Sequence, residues 1–155
     1  ITAHPTARTT LGLAYGYLDA KYDQFIYNAT TDFSNTTMVR APKHSLSLNA
    51  EQRIALGAGR ELTLRAEYSY MTRFFHEPGQ GNIAYGAGMP LTEEAAYGLL
   101  NLRAGVDIGA VRVSAYVTNL ADKAYRRTIL YLPNGSSVGF SGEPRLYGVS
   151  VGYHF

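Results

Sequence analysis

Arg145-Leu-Tyr-Gly-Val-Ser-Val-Gly-Tyr-His-Phe155 closes the chain, and its alternation decides how the rest is read. Tyr147, Val149, Val151, Tyr153 and Phe155 occupy every second position, with Gly148, Ser150, Gly152 and His154 between them. Successive side chains on a strand point to opposite faces. One face is therefore apolar with aromatic residues at both ends, and the other is small or polar.

The same rhythm recurs upstream. Leu11, Leu13, Tyr15 and Tyr17 alternate with Gly12, Ala14, Gly16 and Leu18. Leu46, Leu48 and Ala50 alternate with Ser45, Ser47, Asn49 and Glu51, and Leu62 to Tyr70 alternate with Thr63, Arg65, Glu67 and Ser69. Leu100 to Ile108 and Val111 to Val117 complete the series. The pattern predicts an all-β, antiparallel up-and-down meander of about six strands.

Turn chemistry fixes the register. A two-residue Gly109-Ala110 hairpin, with Gly supplying the positive φ of a type II′ turn, sets Ile108 against Val111 and Asp107 against Arg112. It also sets Val106 against Val113, Arg103 against Tyr116 and Asn101 against Thr118. A one-residue slip would put apolar residues opposite polar ones. A Gly57-Ala58-Gly59 turn is expected to place Leu56 near Leu62 and Ile54 near Leu64. Between the other strand ends lie long segments rich in Gly, Asn, Ser and Thr, near residues 26–41, 74–96 and 127–144.

Composition narrows the class. The chain holds 13 Tyr, no Cys and no Trp, and its formal charge is +2. Lack of Cys removes any disulfide or thiolate-metal framework, and the near-neutral charge gives no nucleic-acid footprint. No apolar run approaches the ~18 residues of a spanning helix. A slightly negative mean hydropathy is still compatible with a membrane, because alternation hides a barrel strand from averaging. Tyrosine suits the lipid–water boundary, and tight turns at one end with long loops at the other are the habit of outer-membrane barrels. Barrels of this type start at about eight strands, so six would be part of a larger wall. Residues 1–155 are thus expected to be the C-terminal portion of a large transmembrane β-barrel, with Ile1 at the tight-turn end and edges near residues 8–18 and 145–155.

Three stretches carry a family resemblance: Val39-Arg-Ala-Pro-Lys-His-Ser-Leu46, Tyr116-Val-Thr-Asn-Leu-Ala-Asp-Lys-Ala-Tyr125, and Gly142-Glu-Pro-Arg145 running on to Phe155. In this order and spacing the chain resembles the C-terminal barrel of TonB-dependent outer-membrane receptors. The resemblance implies a barrel of about 22 strands plugged by an N-terminal domain. It further implies uptake of a scarce ligand, such as an iron–siderophore complex, across the outer membrane of a Gram-negative bacterium, driven through TonB. The expected partners are outer-membrane lipid, the protein's own plug and remaining barrel strands, and TonB. Tyr147, Val149, Val151, Tyr153 and Phe155 resemble an insertion signal read by the barrel-assembly machinery.

Candidate site residues fall in two groups. Arg65, Glu67, Arg103, Asp107 and Arg112 are lumen-facing charges that either contact the plug and ligand path or compensate one another along the wall. Tyr27, Phe33, Tyr85, Arg126, Arg127, Tyr131 and Phe140 lie in the long loops, where rings and cations suit capture of a polar, ring-bearing solute; several would equally mark an outer aromatic belt. His4, His44, His76 and His154 share no metal-ligand spacing. Glu93 and Glu94, being adjacent, point to opposite faces of any strand. No Ser/His/Asp set is placed by the strand map, so an enzyme is not expected, nor a cofactor or metal. A passive porin or a structural or adhesive barrel is the alternative, and an upstream plug separates it from a receptor.

Overall fold

The computed structural model describes residues 1–78, 92–132 and 136–153; Tyr85, His154 and Phe155 lie outside them. In chain order the strands are β1 (Thr2–Thr6), β2 (Thr9–Tyr17), β3 (Ile26–Asn28), β4 (Thr31–Asp32), β5 (His44–Gly57), β6 (Arg60–Met71) and β7 (Phe74–Phe75). They continue with β8 (Glu93–Glu94), β9 (Tyr97–Ile108), β10 (Val111–Thr118), β11 (Arg126–Tyr131), β12 (Ser137–Ser141) and β13 (Leu146–Tyr153). One antiparallel sheet runs β1-β2-β5-β6-β9-β10-β13, and three small hairpins, β3–β4, β7–β8 and β11–β12, rise from its connections.

The sheet has seven strands rather than six, because β1 carries no apolar alternation. His4 and Pro5 sit where its register against β2 shifts, between Ala3 and Thr6. Proline has no N–H to give a ladder, which confines it to an edge. The first edge is therefore Thr2–Thr6, not residues 8–18. Ile1 does not reach the tight-turn end: its ammonium donates to the Leu13 carbonyl at 2.8 Å, halfway up β2.

The β9–β10 register is as the sequence predicts from Val111↔Ile108 through Arg112↔Asp107 and Val113↔Val106 to Tyr116↔Arg103. Gly109 has φ 61°, as the first turn position requires. The paired ladder runs as far as Val117↔Leu102; just beyond it the Asn101 side-chain oxygen accepts the Asn119 N–H at 2.9 Å, and on its other side Thr118 pairs with Leu146 of β13.

The β5–β6 turn also differs. Ile54 pairs with Leu62 and Gln52 with Leu64, while Gly57 pairs with Arg60. Three successive left-handed residues, Gly57 (φ 79°), Ala58 (φ 50°) and Gly59 (φ 70°), tighten the turn, and a bulge at Leu56 absorbs the odd residue. The net change from the expected register is two residues in pairing, so every side chain keeps its face.

Neither face of the main sheet has a packed core. The buried hydrophobic side chains among the described residues are Phe33, Ala41, Phe74 and Ile129, all in the hairpins or their approaches. By contrast Leu13, Leu48, Leu64, Leu102, Val149 and Val151 share one face of the sheet and are exposed, the last two at 72% and 70%. Fully burying such a side chain is worth about 1.5–3 kcal/mol, so a stable fold must cover this face with something apolar. Tyr15, Tyr17, Tyr68, Tyr70 and Tyr147 gather at its hairpin end and Tyr153 at the other, as an interfacial belt requires.

Candidate functional site

Parity places the chemistry. With Leu102, Ala104 and Val113 on the apolar face, Arg103, Asp107 and Arg112 stand on the polar one, joined by Arg65 and Glu67. The five do not form one network. Arg112 grips Asp107 with Nε to Oδ1 at 2.6 Å and Nη2 to Oδ2 at 2.7 Å, a bidentate pair across the tight turn. Arg65 binds Glu67 two residues along its own strand, at 2.6 Å from Nη2. Arg103 lies directly opposite Arg65 and stacks its guanidinium on the Tyr116 ring, 5.4 Å from the centroid. Tyr116 in turn lies across Gly148, where any Cβ would strike its ring.

The loop candidates are dispersed. Phe33 is fully buried at the centre of an aromatic cluster, edge-on to Phe25 at 5.3 Å and beside Tyr27 at 5.9 Å. It holds hairpin β3–β4 together and is not presented to a solute. Tyr27 is exposed beside it. Arg126 is not free either: Nε binds the buried Glu94 carboxylate at 2.8 Å and Nη2 the Glu93 carbonyl at 2.6 Å, tying β11 to β8. Arg127 reaches Glu143 at 3.7 Å on the surface, Phe140 is exposed, and Tyr131 ends β11 opposite Ser137. The adjacent acids part as expected, Glu93 toward Arg73 at 3.6 Å and Glu94 inward.

Two clusters escaped the sequence reading. A hollow of about 660 Å³ lies at the base of the hairpins, bounded by Lys21, Lys43, His44, Arg73, Phe75 and Glu93. Its cations are far apart in sequence, and only their position at strand ends marks them. The second is a clasp. Asn119, in the left-handed region at φ 48° and nearly buried, donates from Nδ2 to the Lys123 and Glu143 carbonyls, and its Oδ1 accepts the Lys123 N–H. Asp122, also left-handed, accepts the Arg145 N–H. Asn and Asp tolerate this backbone, so the stretch that carried the family resemblance fastens the ends of the last hairpin.

His76 follows β7 with no exposed side-chain surface, its backbone N–H bonded to the Thr92 carbonyl and its Nε2 3.9 Å from Glu94. Burial holds its imidazole below the ordinary value near 6.5, against the opposing pull of Glu94 and with the help of Arg40 and Arg126.

No protein-family model matches the chain. Its backbone follows that of the ferric yersiniabactin uptake receptor FyuA from Yersinia pestis, with TM-score 0.78 and 14% identity over 97% of this chain and 21% of that one. It also follows the ferric-catecholate import receptor Fiu from E. coli, with TM-score 0.73 and 16% identity over 99% of this chain and 20% of that one. The siderophore receptor PiuA from Acinetobacter baumannii gives TM-score 0.71 and 16% identity over 97% and 20%. The chain has the fold of a stretch of TonB-dependent receptor barrel. It spans about one fifth of the length of the receptors it matches.

Proposed function

We propose that the chain is the C-terminal portion of the β-barrel of an outer-membrane receptor that imports a scarce ligand of the iron–siderophore class, energised through TonB. The observation that carries this is the uncovered apolar face, bounded by tyrosines, on a wall whose backbone follows siderophore receptors along almost its whole length. An outer-membrane lipid environment supplies the missing cover. The remaining strands pair with β1 and β13, and an N-terminal plug fills the lumen. Phe155, with Tyr147, Val149, Val151 and Tyr153, addresses the barrel to its assembly machinery. Structural neighbours that are receptors rather than enzymes support transport over catalysis.

Of the cations around the hairpin-base hollow, Lys43 pairs with Asp19 at 3.5 Å and Arg73 with Glu93 at 3.6 Å; with Lys21 they offer charges that an anionic chelate could engage, and Tyr27 and Phe140 are exposed. Deleting the gene for the full-length protein should abolish energy-dependent uptake of at least one ferric chelate from a panel of catecholates, hydroxamates and mixed ligands. Unchanged uptake of the whole panel under iron limitation, in a strain without parallel receptors, would overturn the reading.

A further inference from the structure

Three segments far apart in sequence are fastened to one another above the wall: the approach to β5, the β7–β8 hairpin and β11. The Arg40 N–H donates to the Phe75 carbonyl at 2.8 Å, and Arg40 Nη2 donates to the Thr128 hydroxyl at 2.5 Å. Arg126 reaches back from β11 to the Glu94 carboxylate at 2.8 Å and the Glu93 carbonyl at 2.6 Å. The buried side chains Ala41, Phe74, His76, Thr92, Glu94 and Ile129 all lie on these segments.

His76 is the odd member of this small core. Its ring stands edge-on to Phe74 with centroids 5.0 Å apart, has no exposed surface, and makes no hydrogen bond from either nitrogen. A charged ring in that position would lose its hydration without recovering it in bonds. The facing groups decide how far this is offset. Glu94 on β8, 3.9 Å from Nε2, favours the charged ring, but the same Oε2 already accepts from Arg126. Arg126 on β11 and Arg40 before β5 both repel a cation there. Burial and the two arginines together outweigh Glu94, so the docked hairpins hold the neutral imidazole.

We propose that His76 is an acid-released latch: neutral, it lets the β7–β8 hairpin, β11 and the Arg40 segment dock as one unit, and on gaining a proton it moves out to water and the three part. The added proton brings a further positive charge to a place where Arg126 already neutralises Glu94. Because Arg40 and Arg126 tie the β7–β8 hairpin to both of its neighbours, displacing His76 loosens all three segments rather than one. The latch goes beyond the uptake reading and holds whatever solute the protein carries. Its sign follows from linkage. The released ring titrates near 6.5 and the docked ring below that, so the opening equilibrium rises about tenfold for each pH unit below about 6.5 and levels off beneath the docked value.

Hydrogen exchange on the full-length protein in lipid vesicles, followed from about pH 8 to about pH 5, tests this. Protection relative to the free-amide rate at each pH should fall together in residues 38–42, 72–78, 92–96 and 126–131, by about tenfold per pH unit from an onset near 6.5. β9 and β10 should keep theirs. His76→Phe, uncharged throughout, should hold all four segments docked down to about pH 5; should phenylalanine not fit, His76→Gln is read by the same criterion. If both variants are already undocked at about pH 8, the onset in the unaltered protein decides, since a paired carboxylate begins to release only below its free value of about 4.3. Loss confined to residues 72–78 and 92–96 is local fraying and would overturn the latch. So would unchanged protection down to about pH 5, or a loss of the same size in a docked variant. A protein that imports nothing yet shows the concerted release would refute the uptake reading and leave this one standing.

Discussion

Leu102→Arg measures whether the apolar face meets lipid. Leu102 is at the middle of β9, between Ala66 and Val117 on the neighbouring strands, and 37% of it is exposed. Complete burial of a leucine is worth about 2 kcal/mol, so replacing the lipid-facing third forfeits roughly 0.7 kcal/mol. An arginine at the bilayer midplane adds about 2–4 kcal/mol, for a total near 3–5 kcal/mol. The comparison must be an open polar position on the opposite face. Ser114 is unsuitable, being buried with its Oγ 2.7 Å from that of Ser150. Ser47, exposed on the polar face between Ala14 and Ser69, is suitable, and Ser47→Arg should cost about 0–1 kcal/mol, as for other open surface positions. The assay is reversible denaturant unfolding of the full-length protein in phospholipid vesicles. Costs for the two variants within about 1 kcal/mol of each other, beyond the usual extrapolation error, would refute the sidedness.

Gly148→Ala should destabilise by about 1–3 kcal/mol because its methyl group strikes the Tyr116 ring, whereas Gly152→Ala, with open space around it, should be close to neutral in the same unfolding assay. Asn119→Ala removes a buried side chain that bonds Lys123 and Glu143 and leaves alanine in the left-handed region. The loss should be about 2–4 kcal/mol, felt locally, and limited proteolysis should move to residues 120–145. His76 is depressed in the folded state, so its neutral form contributes stability above the unfolded value near 6.5 that is lost as pH falls through the folded one. Exchange in residues 72–78 and 92–97 should therefore quicken below about pH 6.5, and His76→Phe should flatten that component of the pH dependence. Residues 1–155 expressed alone should form oligomers or aggregates, since edges β1 and β13 and the apolar face all lack cover. A soluble monomer by light scattering would overturn the membrane reading.

What the sequence disclosed follows from what period two can encode. Faces were legible on every long strand, because each residue's side is set by parity alone, and parity survived even where pairing did not. The Ile54↔Leu62 register was hidden because a positive φ at Ala58, a residue with a Cβ, is not announced by composition. β1 was hidden because an exposed edge strand needs no apolar alternation, and Pro5 argues against a strand wherever neighbours are paired on both sides. Loop function was least legible. Phe33 and Arg126 look like ligand-gripping groups in a linear reading. Yet Phe33 is the core of its own hairpin, and Arg126 finds Glu94 at a separation of 32 residues. Such contacts come from how hairpins dock, which leaves no period in the chain.

The same parity links the two halves of the functional reading. A strand that puts leucine on one face of the pleat must put something else on the other, and here that is Arg65, Glu67, Arg103, Asp107 and Arg112. Three considerations bear on those inward groups. Charges facing only bulk water need no partners, but here Asp107 and Arg112 meet in bidentate geometry and Arg103 is pinned on Tyr116. Fixing long side chains costs conformational entropy of up to about 2 kcal/mol each. A wall that merely bounded an aqueous pore would gain little from such ordering, whereas one that must register against a second surface gains specificity from it.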